Sequence, residues 1–100
     1  MKKTFKLTNT EIKVARVVEG VKHEVRKYLK RERRKKLPEG VDFWDFDCKF
    51  GVTAEVSTEI HLSEIGKCID EAEEKQLESF YIEILAKPGY RLKKKLGEEK

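Results

Sequence analysis

Residues 44–50 of this 100-residue chain alternate apolar and charged side chains without a break, in the order Trp-Asp-Phe-Asp-Cys-Lys-Phe. Successive side chains of a β-strand point to opposite faces, so this run predicts a strand with one apolar and one charged face. Such a strand belongs to a sheet that is covered on one side and open to water on the other. The remaining residues must supply the other strands and the layer that covers the apolar face.

A long helix is predicted between the N-terminal segment and Pro38. Thr8 to Glu11 resembles a capping box, so the helix starts between Thr8 and Val14. Pro38 disfavours helical geometry at Leu37 and ends it. Seven apolar residues fall on one stripe of this helix when they are placed at helical spacing: Val14, Val17, Val18, Val21, Val25, Tyr28 and Leu29.

Four further elements follow from the same periodicities. Residues 3–7 alternate as a first strand, and residues 56–62 alternate as the returning strand of a hairpin after a turn at 51–54. Ser63 is the predicted cap of a second helix, which buries Ile65, Cys68, Ile69 and Ala72. A last strand begins at Ser79, and the run Lys87-Pro88-Gly89 is expected to end it.

The order strand, helix, strand, strand, helix, strand is typical of the ferredoxin-like split βαβ sandwich. This α+β fold has a four-stranded antiparallel sheet with both helices on one face. Right-handed crossovers place the first and third strands in the centre. One hundred residues suffice for one core, so residues 1–89 are predicted to form a single domain, and residues 90–100 a basic, mobile tail.

Charge is segregated along the chain. Residues 1–40 carry 14 basic and 5 acidic side chains, residues 41–86 carry 3 and 12, and residues 87–100 carry 6 and 2. A net charge of +4 therefore hides a strongly basic first part followed by a strongly acidic one. Such an asymmetry indicates a polyanionic partner for the basic part, or pairing of the two parts within or between molecules.

The basic residues concentrate at the end of the first helix, where nine of the fifteen residues in 22–36 are lysine or arginine. A helix over 14–36 is about 34 Å long, whereas strands of seven or eight residues span about 25 Å. We therefore expect the last turns to project past the sheet into solvent. The predicted phosphate-binding residues are Arg26, Lys27, Lys30, Arg31, Arg33, Arg34, Lys35 and Lys36.

These cations favour contacts with RNA or DNA phosphates, to which the tail residues Lys93, Lys94 and Lys95 add. No base-reading motif accompanies them, so we expect binding that is independent of sequence. An alternative is a protein-interaction or self-associating module, in which the basic helix pairs with an acidic surface. Neither interpretation requires an enzyme or a cofactor.

The open face of the predicted sheet offers a third, minor alternative. Its acidic side chains and a histidine have the chemistry to bind a divalent metal or to supply an acid and a base; they are Asp45, Asp47, Glu59, His61 and Glu83. Cross-strand pairing with Lys6 or Lys49 explains the same residues without a ligand. An RNA recognition motif is not indicated, because Tyr81 alone is no platform for stacking bases.

Other classes of site lack a signal in this sequence. The serines lie outside nucleophile-elbow motifs, Cys48 and Cys68 have neither metal-ligand spacing nor a paired base, and no phosphate loop occurs. Both cysteines are predicted to be free thiols on apolar faces. No apolar run approaches the length of a membrane span, and the N-terminal residues lack the apolar stretch of a signal peptide, so we expect a cytoplasmic protein without a membrane partner.

Several segments are similar to an uncharacterised family of short bacterial proteins, classed as a domain of unknown function. They are residues 1–8, 30–35, 37–51 (LPEGVDFWDFDCKFG) and 78–89. The resemblance extends from residue 1 to about residue 91. It implies a bacterial cytoplasmic protein with a single domain, and it brings no activity, ligand or catalytic residue with it.

Overall fold

The computed structural model describes residues 1–8 and 11–91. Its elements follow the predicted order, which confirms the α+β, βαββαβ fold class. They are β1 (Lys2–Lys6), α1 (Val14–Arg33), β2 (Phe43–Gly51), β3 (Thr58–Ile60), a 3₁₀ turn (Leu62–Glu64), α2 (Ile65–Glu74) and β4 (Ser79–Gly89). The lysines of the predicted tail, Lys93 to Lys95, lie outside the described residues, and so do Asn9 and Thr10 of the predicted capping box.

The four strands form one antiparallel sheet in the order β1-β4-β2-β3. The prediction that the first and third strands lie in the centre is therefore wrong, because β4 and β2 are central and β1 and β3 are at the edges. The number of crossovers is the same in both arrangements. What differs is which strand of each outer pair faces inward, and in both pairs it is the longer one: the 11-residue β4 instead of the five-residue β1, and the nine-residue β2 instead of the three-residue β3.

β4 ends at Gly89, within the run Lys87-Pro88-Gly89 that was predicted to end it, but all three residues of that run still pair with β2. Ile84 N–H donates to Met1 O on the β1 side, so the backbone groups of alternate residues, including position 88, face that side. The pairing of β1 with β4 reaches Lys2 and Glu83, so β1 no longer covers the edge at position 88. Pro88, which lacks an N–H, is tolerated there because it faces an uncovered edge.

Two smaller boundaries also differ from the predictions. The returning strand is short, and Val56, expected within it, is exposed in the turn before Thr58. The cap of the second helical segment is His61 instead of Ser63, because the His61 ring accepts a hydrogen bond from Ser63 N–H at the start of the 3₁₀ turn. Both differences shorten β3 and leave residues 43–47 of β2 without a partner on that side.

One hydrophobic core lies between the sheet and the two helices. Its members come from every main element except β3: Phe5, Leu7, Val18, Val21, Val25, Phe46, Cys48, Ile65, Ile69, Ala72, Phe80, Ile82 and Ile84. The predicted valine stripe of α1 supplies three of these buried residues. Both helices pack on the same face of the sheet, as predicted, and the charged side chains of β2 point away from them.

The predicted overhang of α1 past the sheet is wrong. At about 1.5 Å per residue the 20 residues of α1 extend about 30 Å, and at about 3.3 Å per residue the 11 residues of β4 extend about 36 Å. The helix ends at Arg33, before Pro38, and the sheet is longer than expected because β4 continues past Pro88. The basic end of α1 lies over the sheet and not beyond it, because the Arg33 guanidinium lies over the Phe46 ring of β2 and Trp44 Nε1–H donates to the Lys35 carbonyl.

Candidate nucleic-acid interface

We call the eight predicted phosphate-binding residues the basic cluster: Arg26, Lys27, Lys30, Arg31, Arg33, Arg34, Lys35 and Lys36. All eight are exposed. Because Val18, Val21 and Val25 fix the buried side of α1, Lys27, Lys30 and Arg34 fall on the opposite side at about 100° per residue, and Arg26, Arg31 and Arg33 fall on its flanks. Lys35 and Lys36, which were predicted to be helical, follow the end of α1 at Arg33.

Ion pairs leave nearly all of the basic cluster uncompensated. Within the described residues, Lys35 is its only member with a carboxylate partner, Glu32, at 3.0 Å. By contrast, Lys22 in the N-terminal half of α1 pairs with Asp70 of α2, and Lys3 of β1 pairs with Glu24 at the middle of α1. The cationic charge is therefore available to a partner mainly at the C-terminal half of the helix.

Aromatic side chains fix the basic end of α1 in place. The Arg33 guanidinium lies 5.5 Å from the centre of the Phe46 ring, and the Arg31 guanidinium lies 5.6 Å from that of Tyr28. Trp44 Nε1–H donates to the Lys35 carbonyl at 2.9 Å, which satisfies an acceptor that the end of the helix leaves free. These cation–π contacts hold the two guanidinium groups without neutralising their charge, and both arginines remain exposed.

A shallow depression of about 440 Å³ lies on the outer side of the basic cluster. Its lining consists of one apolar residue, Leu29, and four cations: Arg26, Lys30, Arg33 and Arg34. Within the described part of the chain, none of these four cations has a carboxylate within ion-pair distance. The depression therefore presents several guanidinium and ammonium donors to one anionic ligand.

The position of α2 explains why the two halves of α1 differ. Ile65 and Gly66, at the start of α2, line a groove together with Val25 and Leu29, whereas Asp70 reaches Lys22. α2 therefore runs antiparallel to α1 and begins beside its middle. The acidic residues of α2 all lie at or after Asp70, and so they flank the N-terminal half of α1: Asp70, Glu71, Glu73 and Glu74.

Sequence reasoning missed two residues of this surface. Arg16 and His23 share the outward side of α1 with Lys27, Lys30 and Arg34, and both are exposed. The same 100° periodicity that identified the valine stripe also assigns residues to the opposite side, so this signal was present in the sequence. The outward row from Arg16 to Arg34 extends about 27 Å at 1.5 Å per residue.

A family model matches residues 1–95 of the chain. The chain belongs to the family of unknown function DUF6172. This membership confirms the predicted resemblance, and it assigns no ligand or reaction. No curated protein and no solved structure matches the chain.

The open sheet face of this DUF6172 chain is less acidic than expected. Lys87 Nζ lies 2.7 Å from Asp47 and 4.0 Å from Asp45, so its ammonium occupies the position that a metal cation would take between them. The pKa of Lys87 is raised, chiefly by its hydrogen bond to Asp47. Residues 1–8 and 11–91 contain no group of three or more potential metal-ligating side chains close enough to hold an ion.

The aromatic residues of the open face do not form a stacking platform. Tyr81, on the central strand β4, is only 8% exposed, and its hydroxyl donates to Glu83 at 2.8 Å. This hydrogen bond is the main reason why the pKa of Tyr81 is raised. Phe43, at the end of β2, packs its ring against Gly89. Base stacking on this face, as in an RNA recognition motif, is therefore not supported.

The two cysteines of the DUF6172 chain are free thiols. Cys48 is buried, and burial is the main cause that raises its pKa to about 11, with Asp47 and Asp45 adding to the effect. Cys68 is partly buried, and burial raises its pKa as well. Raised thiol pKa values oppose formation of the nucleophilic thiolate. Within the described residues, no helix combines the length and apolar character needed to cross a membrane.

Proposed function

We propose that this protein binds the backbone phosphates of RNA or DNA, independently of sequence, through the basic cluster at the C-terminal half of α1. The observation that carries the proposal is the depression lined by Arg26, Lys30, Arg33 and Arg34, whose charges have no carboxylate partner among the described residues. Phosphate oxygens accept hydrogen bonds from guanidinium and ammonium groups with a geometry that matches such a cluster.

The outward row of cations also fits the spacing of a polyanion. Each strand of a duplex carries one phosphate per 3.4 Å of helix axis, so about eight occupy the length of the row, but the strand winds around the axis and brings only some of them within reach of a straight helix. Apart from His23, the outward side of α1 carries no aromatic side chain on which unpaired bases would stack. We therefore favour the backbone of a duplex as the ligand. We place this binding in the bacterial cytoplasm.

A salt titration with a generic duplex of about 20 base pairs tests the proposal. Fluorescence anisotropy should show binding at about 50 mM NaCl, with the logarithm of the association constant falling linearly with the logarithm of salt concentration. Each phosphate contact contributes a slope of about −0.9, so four contacts predict a slope of about −3.6. Absence of binding at low salt would overturn the proposal.

A triple substitution locates the site. Arg26→Gln, Lys30→Gln and Arg34→Gln remove three cations that have neither an ion pair nor a ring contact, and they should reduce the slope by about 3 and the affinity by about a hundredfold. The matched control, Lys3→Gln, Lys22→Gln and Lys67→Gln, removes the same charge near carboxylates and should change the affinity less than about threefold. Equal losses in both variants would mean that only net charge matters.

Competition distinguishes nucleic acid from an acidic protein surface, the alternative partner. Polyglutamate presents carboxylates on a flexible chain, whereas a duplex presents phosphates at fixed spacing. We expect the duplex to displace polyglutamate at a concentration of charges about tenfold lower. Displacement at equal charge concentration would favour an acidic protein as the ligand of the basic cluster.

A further inference from the structure

The open face of the sheet carries a row of alternating charges that crosses all four strands. Lys2 of β1 lies opposite Glu83 of β4, Glu83 lies opposite Lys49 of β2, and Lys49 lies opposite Glu59 of β3. Their neighbours Ile82, Ile84, Cys48 and Ile60 point toward the core, so the four charged side chains point away from the helices. From the β1 edge to the β3 edge the signs are therefore plus, minus, plus, minus.

These four charged side chains form no ion pairs within the described part of the molecule. Across the described part of the chain, no ion pair within 4 Å joins any two of them, although they occupy adjacent register positions. The Glu83 carboxylate instead accepts a hydrogen bond from the Tyr81 hydroxyl. Lys2, Lys49 and Glu59 are exposed and Glu83 is partly exposed. The row therefore remains available to an external surface of complementary pattern.

A row with alternating signs and an even number of members is complementary to itself when reversed. We infer that two copies of this chain associate through their open sheet faces, about a two-fold axis that runs parallel to the strands between β4 and β2. This axis reverses the strand order of the second copy, so Lys2 faces the partner's Glu59 and Glu83 faces the partner's Lys49. A two-fold axis perpendicular to the strands would instead bring each charge against its own copy.

A second row has the same order of signs, although its members are already paired within the molecule. Lys87 of β4 lies opposite Asp45 of β2, so the signs again run from plus to minus toward β3, and Lys87 also lies 2.7 Å from Asp47 and 4.0 Å from Asp45 of its own chain. The reversal that matches the first row places Lys87 over Asp45 in the second copy. The same face exposes Phe43 (37%) and Leu85 (39%), which gain from being covered.

The area of this face sets the strength of the association. Strands about 4.8 Å apart, with 28 residues in the four strands at about 3.3 Å each, give about 440 Å² for each partner. Stable interfaces bury about 800 Å² for each partner, and charged groups lose hydration when they are covered. We therefore expect a weak dimer, with a dissociation constant on the order of 100 µM that increases with salt.

Reciprocal charge reversal tests the two-fold pairing by sedimentation equilibrium. Lys49→Glu places the new carboxylate against the partner's Glu83, and Glu83→Lys places the new ammonium against the partner's Lys49. Each variant alone should dimerise at least about tenfold more weakly than the wild type. An equimolar mixture should recover the dimer, because each changed residue then faces an opposite charge. The double variant should recover it too.

The control reverses charges on the outer side of α2. Lys67→Glu and Glu74→Lys make the same changes in net charge away from the sheet face. Each control variant alone, and their equimolar mixture, should therefore dimerise like the wild type. Circular dichroism checks that each variant is folded. Three results would each overturn the inference: a monomeric wild type at about 1 mM protein and low salt, single variants that dimerise normally, or a mixture that stays monomeric.

The dimer and the phosphate site are independent of each other. The basic cluster lies on the helical side of the sheet and the alternating row lies on the opposite side. Duplex binding by the Lys49→Glu variant is therefore expected to match that of the wild type at concentrations where both are monomeric. Failure to bind a duplex would contradict the proposed function alone, and failure to dimerise would contradict the inferred dimer alone.

Discussion

The two halves of α1 differ in charge and in what surrounds them. Around the N-terminal half, Lys22 pairs with Asp70, Lys3 pairs with Glu24, and the acidic end of α2 lies alongside. From Arg26 onward α1 extends past the start of α2, and Lys35 is the only member of the basic cluster paired within the described residues. The C-terminal half carries five of the seven lysines and arginines of α1, and α2 places its acidic residues beside the other half.

The comparison shows how one helix combines a structural and a binding role. The N-terminal half contributes Val18 and Val21 to the core, and its Lys22 pairs with Asp70 of α2. The C-terminal half rests on Trp44, Phe46 and Tyr28, which contact its backbone and guanidinium groups without supplying negative charge. The aromatic side chains therefore hold the cations in place without reducing the positive electrostatic potential around them.

The largest difference in stability between the two halves of α1 is expected when the aromatic support of the C-terminal half is removed. Phe46→Ala deletes a buried ring that also contacts Arg33, so we expect a loss of about 3 kcal/mol in the free energy of unfolding. Hydrogen exchange should show reduced protection concentrated in the last two turns of α1. The matched change Val21→Ala should cost less and should not single out those turns. Uniform loss of protection in both variants would contradict a separate aromatic support.

The elements of this fold could be predicted from local patterns, whereas their arrangement could not. The valine stripe fixed the buried side of α1, and the alternation around Phe46 fixed the two faces of β2. Pro88 was misleading because a residue without an N–H usually ends a strand. β1 pairs with β4 only as far as Glu83, so no strand would have accepted a hydrogen bond from an N–H at position 88. Strand order depends in the same way on the lengths of β2 and β3, which the hairpin sequence does not determine.

The candidate site was also predictable in part. The residues of the basic cluster could be identified by composition, but their availability depends on where α2 begins relative to α1. The sequence contains no local signal for that register, since it results from the packing of Val25 and Leu29 near Ile65. The alternating row on the open face depends on strand order as well. Lys2 and Glu83 become neighbours only because β1 pairs with β4.

A smaller effect is expected from the hydrogen bond that holds the end of the helix. Trp44→Phe keeps an aromatic ring and removes the Nε1–H donor to the Lys35 carbonyl, an acceptor that water can reach. We expect a loss of about 1 kcal/mol in the free energy of unfolding, measured by urea denaturation. Phe43→Leu, at an exposed position of the same strand, serves as a control for aromatic area. An unchanged stability of Trp44→Phe would mean that this hydrogen bond does not hold the helix end.

The acidic neighbours of the N-terminal half provide a way to make the two halves more alike. Glu71→Gln and Glu74→Gln remove two exposed carboxylates from α2, so the potential around α1 becomes more positive along its whole length. Affinity for a duplex should rise about twofold at about 50 mM NaCl, and the gain should disappear near 0.5 M, where screening is roughly complete within about 4 Å. The control pair Glu55→Gln and Glu78→Gln should give a smaller gain. Equal gains would show that α2 does not shape the difference between the halves.

The smallest change concerns Glu32, the carboxylate among the basic residues that end α1. Its side chain is 12% exposed and pairs with Lys35, which is much more exposed, so Glu32→Gln should alter stability by less than about 0.5 kcal/mol. Burial is the main cause that raises the pKa of Tyr28, and the negative charge of Glu32 raises it further. Without that charge the tyrosinate forms more easily, so the pKa of Tyr28 should fall toward its ordinary value.

Absorbance at alkaline pH measures this shift, because tyrosinate absorbs at longer wavelength than tyrosine. The chain has three tyrosines, so Tyr28→Phe identifies which of the overlapping titrations belongs to Tyr28. Tyr81 provides an internal reference, since its raised pKa depends on Glu83 on the opposite face and should not respond to Glu32→Gln. An unchanged Tyr28 titration would mean that Glu32 does not stay beside this ring in solution. The end of α1 would then move more in solution than its contacts with Trp44 and Phe46 indicate.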